Sequence, residues 1–293
     1  MLVGIPVVNN FELTTRCLEL LDNSLIDGEQ LTVVVLDNGS EPQYRYDKFE
    51  NYRFKLELIS MSENSGYYMP MRILANAYPE EEFIGLIHND VFVYEKGWIS
   101  RMKEAFDRDE NISLIGFCAS TEVDAMGGRG GGTVCNFDGS EGQLAEHTGR
   151  SSSIFEYVCI LDSLAMFMRT SDVPLLDIQD DIAICHFYDR IWPLRLISKG
   201  KKVGYLGVSI DHIGGMTESA EPLYARMAEE WCEKWGIPYE KGGGNLAVYK
   251  EAEKRYLTEF VENGMIPGAV DKDGNFLYSS AGVHNFQLGY ETV

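Results

Sequence analysis

Four side chains combine cation- or proton-handling chemistry with positions that packing alone does not require: Asp37, Asp90, Asp189 and His212. Asp90 closes the run Phe83-Ile-Gly-Leu-Ile-His-Asn-Asp90, whose apolar composition marks a buried strand. A buried strand has no structural need for a carboxylate at its C-terminal tip, and in open α/β sheets ligands bind at that tip. An acid at such a tip is able to hold a metal ion. Singly, each residue has a plainer reading. Asp37 and Asp90 could shape turns, Asp189 could pair with Arg190 or Arg195, and His212 could be a satisfied histidine. Together they line one sheet edge, a costly place for buried charge without a use.

The elements that must position them alternate. Strands are expected at 2–8, 31–36, 54–59, 83–87, 112–118, 157–168 and 203–210, and helices at 11–21, 67–78, 98–106 and 187–198. This rhythm predicts an α/β fold with a mostly parallel sheet and helices on both faces. Past residue 215 the character changes to two helices, near 222–235 and 245–263, and a hairpin around Asp271-Lys-Asp-Gly-Asn275. Residues 1–215 therefore read as the main domain and 216–293 as a helical and hairpin extension packed on it. The 271–275 motif resembles the start of a calcium loop, but Gly282 stands where that loop needs its last acid, so it reads as a turn. The Gly127–Gly132 run lacks the Gly-Lys-Ser/Thr of a phosphate loop and reads as a surface loop that could close over a ligand.

The chain has 293 residues, is 45% hydrophobic and carries a net charge of −21, so it is a folded globular protein whose surface repels polyanions. Nucleic acid and anionic membranes are thereby disfavoured as partners. No apolar run reaches the ~20 residues of a membrane span, and no signal peptide precedes the first strand. The six cysteines contain no C-x-x-C pair and read as reduced residues of a cytoplasmic protein.

The ordered motifs resemble the family-2 glycosyltransferases of GT-A (Rossmann-like) fold, particularly the rhamnosyltransferase-like members. The chain carries Asp37-Asn-Gly-Ser40, then Asn64-Ser-Gly-Tyr67, then Ile87-His-Asn-Asp-Val91 in the place of an Asp-x-Asp metal motif, then Gly97-Trp98. Phe187-Tyr-Asp189, Arg195, Gly200 and His212-Ile-Gly-Gly215 follow in the family's order, so the likeness spans about residues 2–215. It implies a metal-dependent, inverting transfer of a sugar from a nucleoside-diphosphate sugar to a hydroxyl acceptor.

On this resemblance Asp90 and His212 hold Mn²⁺ or Mg²⁺, and Asp189 is the base that deprotonates the acceptor. Val7, Val8, Asp37, Asn64, Gly66, Arg72, His88 and Asn89 belong to the donor side, with Asp37 accepting a hydrogen bond from the base. Asp162 and Ser163 belong to the acceptor side. His88 and Tyr188 stand where the family has acids, and Asp180-Asp181 is a rival pair for the base. Segment 216–293 lies outside the likeness and is left to build the acceptor site or a homo-oligomer contact. Two alternatives stay open: a catalytically reduced nucleotide-sugar binding protein, and a sugar nucleotidyltransferase. The second would need a basic Gly-rich loop after the first strand, where this chain has Asn9-Asn10-Phe11-Glu12.

Overall fold

The computed structural model describes residues 1–45, 52–123, 147–177, 188–213, 229–236, 238, 278–279 and 286–288. The first half runs β1 (Leu2–Val7), α1 (Phe11–Ser24), β2 (Thr32–Asn38), β3 (Lys55–Met61), α2 (Tyr68–Ala77), β4 (Phe83–Ile87), β5 (Val91–Val93), α3 (Trp98–Arg108) and β6 (Ile112–Gly116). Short strands β7 (Ala119–Ser120), β8 (Glu122–Val123) and β9 (His147–Gly149) precede β10 (Ile154–Val158), β11 (Ile160–Leu161) and β12 (Ala165–Arg169). A 3₁₀ segment, Thr170–Leu176, leads on, and α4 (Tyr188–Ser198), β13 (Lys202–Leu206), β14 (Ile210–His212), β15 (Tyr278–Ser279) and β16 (Phe286–Gln287) complete the set.

Nine strands form the main sheet in the order β16-β10-β13-β6-β12-β4-β1-β2-β3. Strands β3, β2, β1, β4, β6, β13 and β16 run one way, and β12 and β10 run against them. The sheet is thus mostly parallel, as expected.

Side-chain alternation divides the core between its two faces. Leu2, Val34, Leu36, Ile84 and Leu86 pack on one side with Met71 and Leu74 of α2 and Trp192 and Leu194 of α4. Val3, Ile5, Val7, Val33 and Val35 pack on the other with Cys17, Leu18 and Leu21 of α1 and Ile99, Met102 and Phe106 of α3. Buried strands that read as continuous apolar runs are the expected consequence of covering both faces. Gly85 in β4 is required by close packing, because a Cβ there would lie 2.2 Å from Cδ1 of Phe167 on β12.

Two expected strands are broken, and both breaks serve the site. The run 157–168 turns at Asp162, whose amide donates to the Cys118 carbonyl at 2.7 Å and whose Oδ1 accepts the Leu164 amide at 3.2 Å. The chain then returns as β12, antiparallel between β4 and β6. The run 203–210 also splits. After Gly207, β13 stays in the main sheet while β14 joins β5 and β9 in a separate three-stranded sheet.

Of the C-terminal readings, residues 229–235 are helical, with Trp231 in the core, and β16 pairs with β10 at the edge of the main sheet. The expected helix at 245–263, the turn at 271–275 and the Gly127–Gly132 loop lie outside the described residues. Cys17, Cys159 and Cys232 are free thiols, but Cys118 is disulfide-bonded to a cysteine outside the described residues. The reading of all six cysteines as reduced does not hold, and its support for a cytoplasmic setting goes with it. No helix among the described residues is long and apolar enough to cross a membrane.

Candidate functional site

The site forms where β4 ends. The Leu164 carbonyl accepts the His88 amide at 2.9 Å, and Val91 N–H closes a turn onto the His88 carbonyl at 3.1 Å, so the tip of β4 is fixed on both sides. Strand β14 then runs antiparallel to β5 with His212 opposite Val91, and Ile213 N–H donates to the Asp90 carbonyl at 3.1 Å. This pairing brings two residues more than a hundred positions apart in the chain to the same place.

His88, Asp90 and His212 each offer a ligand atom, and these atoms lie within 4.8 Å of one another. Asp90 Oδ1 is 3.5 Å from His212 Nε2. Burial works against the ionised Asp90, but the His212 contact and the nearby His88 outweigh it, so this carboxyl titrates below its usual range. Burial pushes His88 down to about 4, against the pull of Asp90. An ionised carboxylate and a neutral imidazole are the forms that ligate a metal. Two imidazoles and one carboxylate in this proximity therefore fit a divalent cation. His88, read from the sequence as a donor-side residue, is placed among the candidate ligands.

Aromatic rings enclose His88. Tyr67 packs on its ring with centroids 4.7 Å apart, and the Tyr188 hydroxyl lies 3.5 Å from His88 Nε2. Tyr188 in turn packs against Trp192 at 5.1 Å. Sequence reasoning noted Tyr188 only as a missing acid and Tyr67 only as a motif residue. The aromatic that closes the Asn-x-Gly turn was the available signal.

Asn38 locks that turn beside the cluster. Its amide nitrogen donates to Asn64 Oδ1 (3.0 Å) and the Gly66 carbonyl (2.9 Å), while its Oδ1 accepts the Ser65 amide (2.8 Å). Asn38→Ala would strand buried backbone groups and is expected to cost roughly 2–4 kcal/mol, measurable by urea denaturation.

The other expected residues are placed as follows. Val7 is buried and Val8 half-buried at the end of β1, beside the β2 turn. Asn89 donates to Thr14 Oγ1 on α1 at 3.1 Å. Asp162 lies close enough to act electrostatically on His88, with Ser163 next to it on the same half-buried turn.

Asp37 is fully buried. Its two carboxylate oxygens accept the amides of Ser40 (3.0 Å) and Tyr44 (2.8 Å), so it builds the turn and offers no surface to a base. Arg72 is a clearer correction. It lines a cavity of about 740 Å³ with Glu82, Thr170 and Asp177, at the N-terminal end of β4 and far from Asp90. The helix that follows the Asn-x-Gly turn carries it away from the site. Asp189 lies in the first turn of α4, with Arg190 Nη1 at 3.1 and 3.2 Å from its two oxygens. Asp180 and Asp181 lie outside the described residues.

No protein-family model matches the sequence, and comparison with curated proteins finds no relative. Solved structures do match. GalNAc-T7 with UDP, GalNAc and Mn²⁺ superposes with a TM-score of 0.56 at 10% identity, covering 90% of this chain and 56% of that one. The chain has the GT-A fold. S. aureus TarS 1–349 in complex with UDP is also similar, with a TM-score of 0.47 at 14% identity, covering 93% of this chain and 75% of that one. In the GT-A frame, β1 to β4 present their C-terminal ends on one edge, and His88 and Asp90 follow directly from β4. That edge is where open α/β sheets bind ligands.

Proposed function

We propose that this protein is a divalent-cation-dependent, inverting glycosyltransferase. It would move a sugar from a nucleoside-diphosphate sugar to a hydroxyl acceptor. One observation carries the reading: His88, Asp90 and His212 converge to within 4.8 Å at the ligand-binding edge of a GT-A sheet. These three residues would hold Mn²⁺ or Mg²⁺, which supplies Lewis-acid neutralisation of charge on the departing diphosphate.

The remaining groups divide by position. The turn built by Asp37 and the Asn38-locked loop 64–66 would form the wall against which the base lies, with Val7 and Val8 beneath it. Asp162 and Ser163, on the turn flanking His88, face the acceptor in this reading. Asp189 takes the acceptor proton, once its carboxylate is released from Arg190. Residues 1–215 form the transferase domain, and 216–293 the extension packed on it.

The test is donor hydrolysis: the full chain with Mn²⁺ and a panel of UDP-, GDP- and dTDP-sugars, followed by released nucleotide. Release that a chelator abolishes is expected. Because two of the three ligands are imidazoles, Mn²⁺ should support faster release than Mg²⁺ at equal concentration. The pairing of Asp189 with Arg190 favours a second reading, a nucleotide-sugar binder without turnover. Tight donor binding with no released nucleotide, unchanged in Asp189→Asn, would select it.

A further inference from the structure

We propose that Tyr188 is a positioning residue that sets the tautomer and orientation of His88 for cation binding. The inference rests on the reading that His88, Asp90 and His212 hold a cation. Tyr188 is 2% exposed, and a buried phenol hydroxyl needs a polar partner. His88 Nε2, 3.5 Å away, is a partner that the structure supplies.

A neutral imidazole carries one N–H and one lone pair, so the partner of one nitrogen decides what the other can do. If Nε2–H donates to the Tyr188 oxygen, the lone pair falls on Nδ1, which is then free to ligate. Histidine ligands in metal sites are held this way by a group on their second nitrogen, and losing that group typically weakens metal affinity by about 10–100-fold. The ring of Tyr188 is itself held. Trp192 packs on it at 5.1 Å, and Tyr67 stacks at 6.2 Å while also covering His88 at 4.7 Å.

The experiment titrates Mn²⁺ into the full chain and reads free Mn²⁺ by electron paramagnetic resonance, alongside the thermal midpoint. The variants are Tyr188→Phe, His88→Gln and the double mutant. Tyr188→Phe keeps the ring and removes only the hydroxyl. It is expected to weaken Mn²⁺ binding about tenfold or more while the midpoint falls by only a few degrees. In the His88→Gln background the same change should have no further effect, because the nitrogen it positions is gone.

Wild-type affinity in Tyr188→Phe would overturn the proposal, as would an equal loss in both backgrounds. A wild-type chain that binds no Mn²⁺ would instead overturn the cation reading beneath it. That outcome is distinguishable because it needs no variant.

Discussion

Replacing Asp90 with asparagine should lower sugar-nucleotide turnover by about 10²–10³-fold while leaving the protein folded. Asparagine keeps the shape of the side chain, and the backbone bond from Ile213 to the Asp90 carbonyl does not depend on the side chain. What is lost is the negative oxygen nearest His212 and, with it, the anionic ligand of the three-residue cluster. Lewis-acid stabilisation of a leaving group contributes several kcal/mol, and each 1.36 kcal/mol is about tenfold in rate. Stability should change little, within about 1 kcal/mol, because burial disfavours the ionised carboxylate while His212 favours it. Steady-state nucleotide release and a thermal melt of the same sample check both halves. Loss of turnover with an unfolded protein would say nothing of catalysis, whereas full turnover would remove Asp90 from the chemistry.

The largest expected effect on stability lies away from the chemistry. Glu95 and Arg101 are nearly buried, with side chains 11% and 9% exposed, and are ion-paired to each other. Arg101 also donates to the carbonyls of Gly207 (3.1 Å) and Ser152, and Glu95 Oε2 accepts the Ser209 amide at 3.0 Å. The pair therefore ties the start of α3 to the connection between β13 and β14 and to the residues just before β10. Glu95→Gln leaves a buried guanidinium without its countercharge and should cost about 3–5 kcal/mol, read by chemical denaturation. Ser209 lies three residues before His212, so metal affinity should fall as well. A loss under 1 kcal/mol would show that the pair is a passive surface contact.

The elements that a sequence reveals best here are those with one continuous signal. β1, β2 and β4 are apolar runs ended by polar turn residues, and both their positions and their parallel direction were legible, though not their order in the sheet. The breaks at Asp162 and Gly207 were not, because apolar residues lie on both sides and strand periodicity continues across them. Each break depends on tertiary partners, the Cys118 carbonyl in one case and the Arg101 network in the other.

The site shows the same division. Asp90 and His212 were identified from their places at strand ends, and the pairing of β14 with β5 brings them together. His88 was read as a donor-side residue, since nothing local shows that its ring turns toward Asp90. Arg72 was misplaced because its motif fixes only the turn, whereas the direction of α2 fixes the side chain. Asp37 has the right residue type at the right strand end, but the backbone amides of Ser40 and Tyr44 take its oxygens.

The most direct measurement is anomalous diffraction at the manganese edge from crystals grown with Mn²⁺ and UDP. The account predicts one strong peak within direct coordination distance of Asp90, His212 and His88, touching the diphosphate. A nucleotide bound elsewhere, or at this edge with no manganese peak beside Asp90, would contradict it.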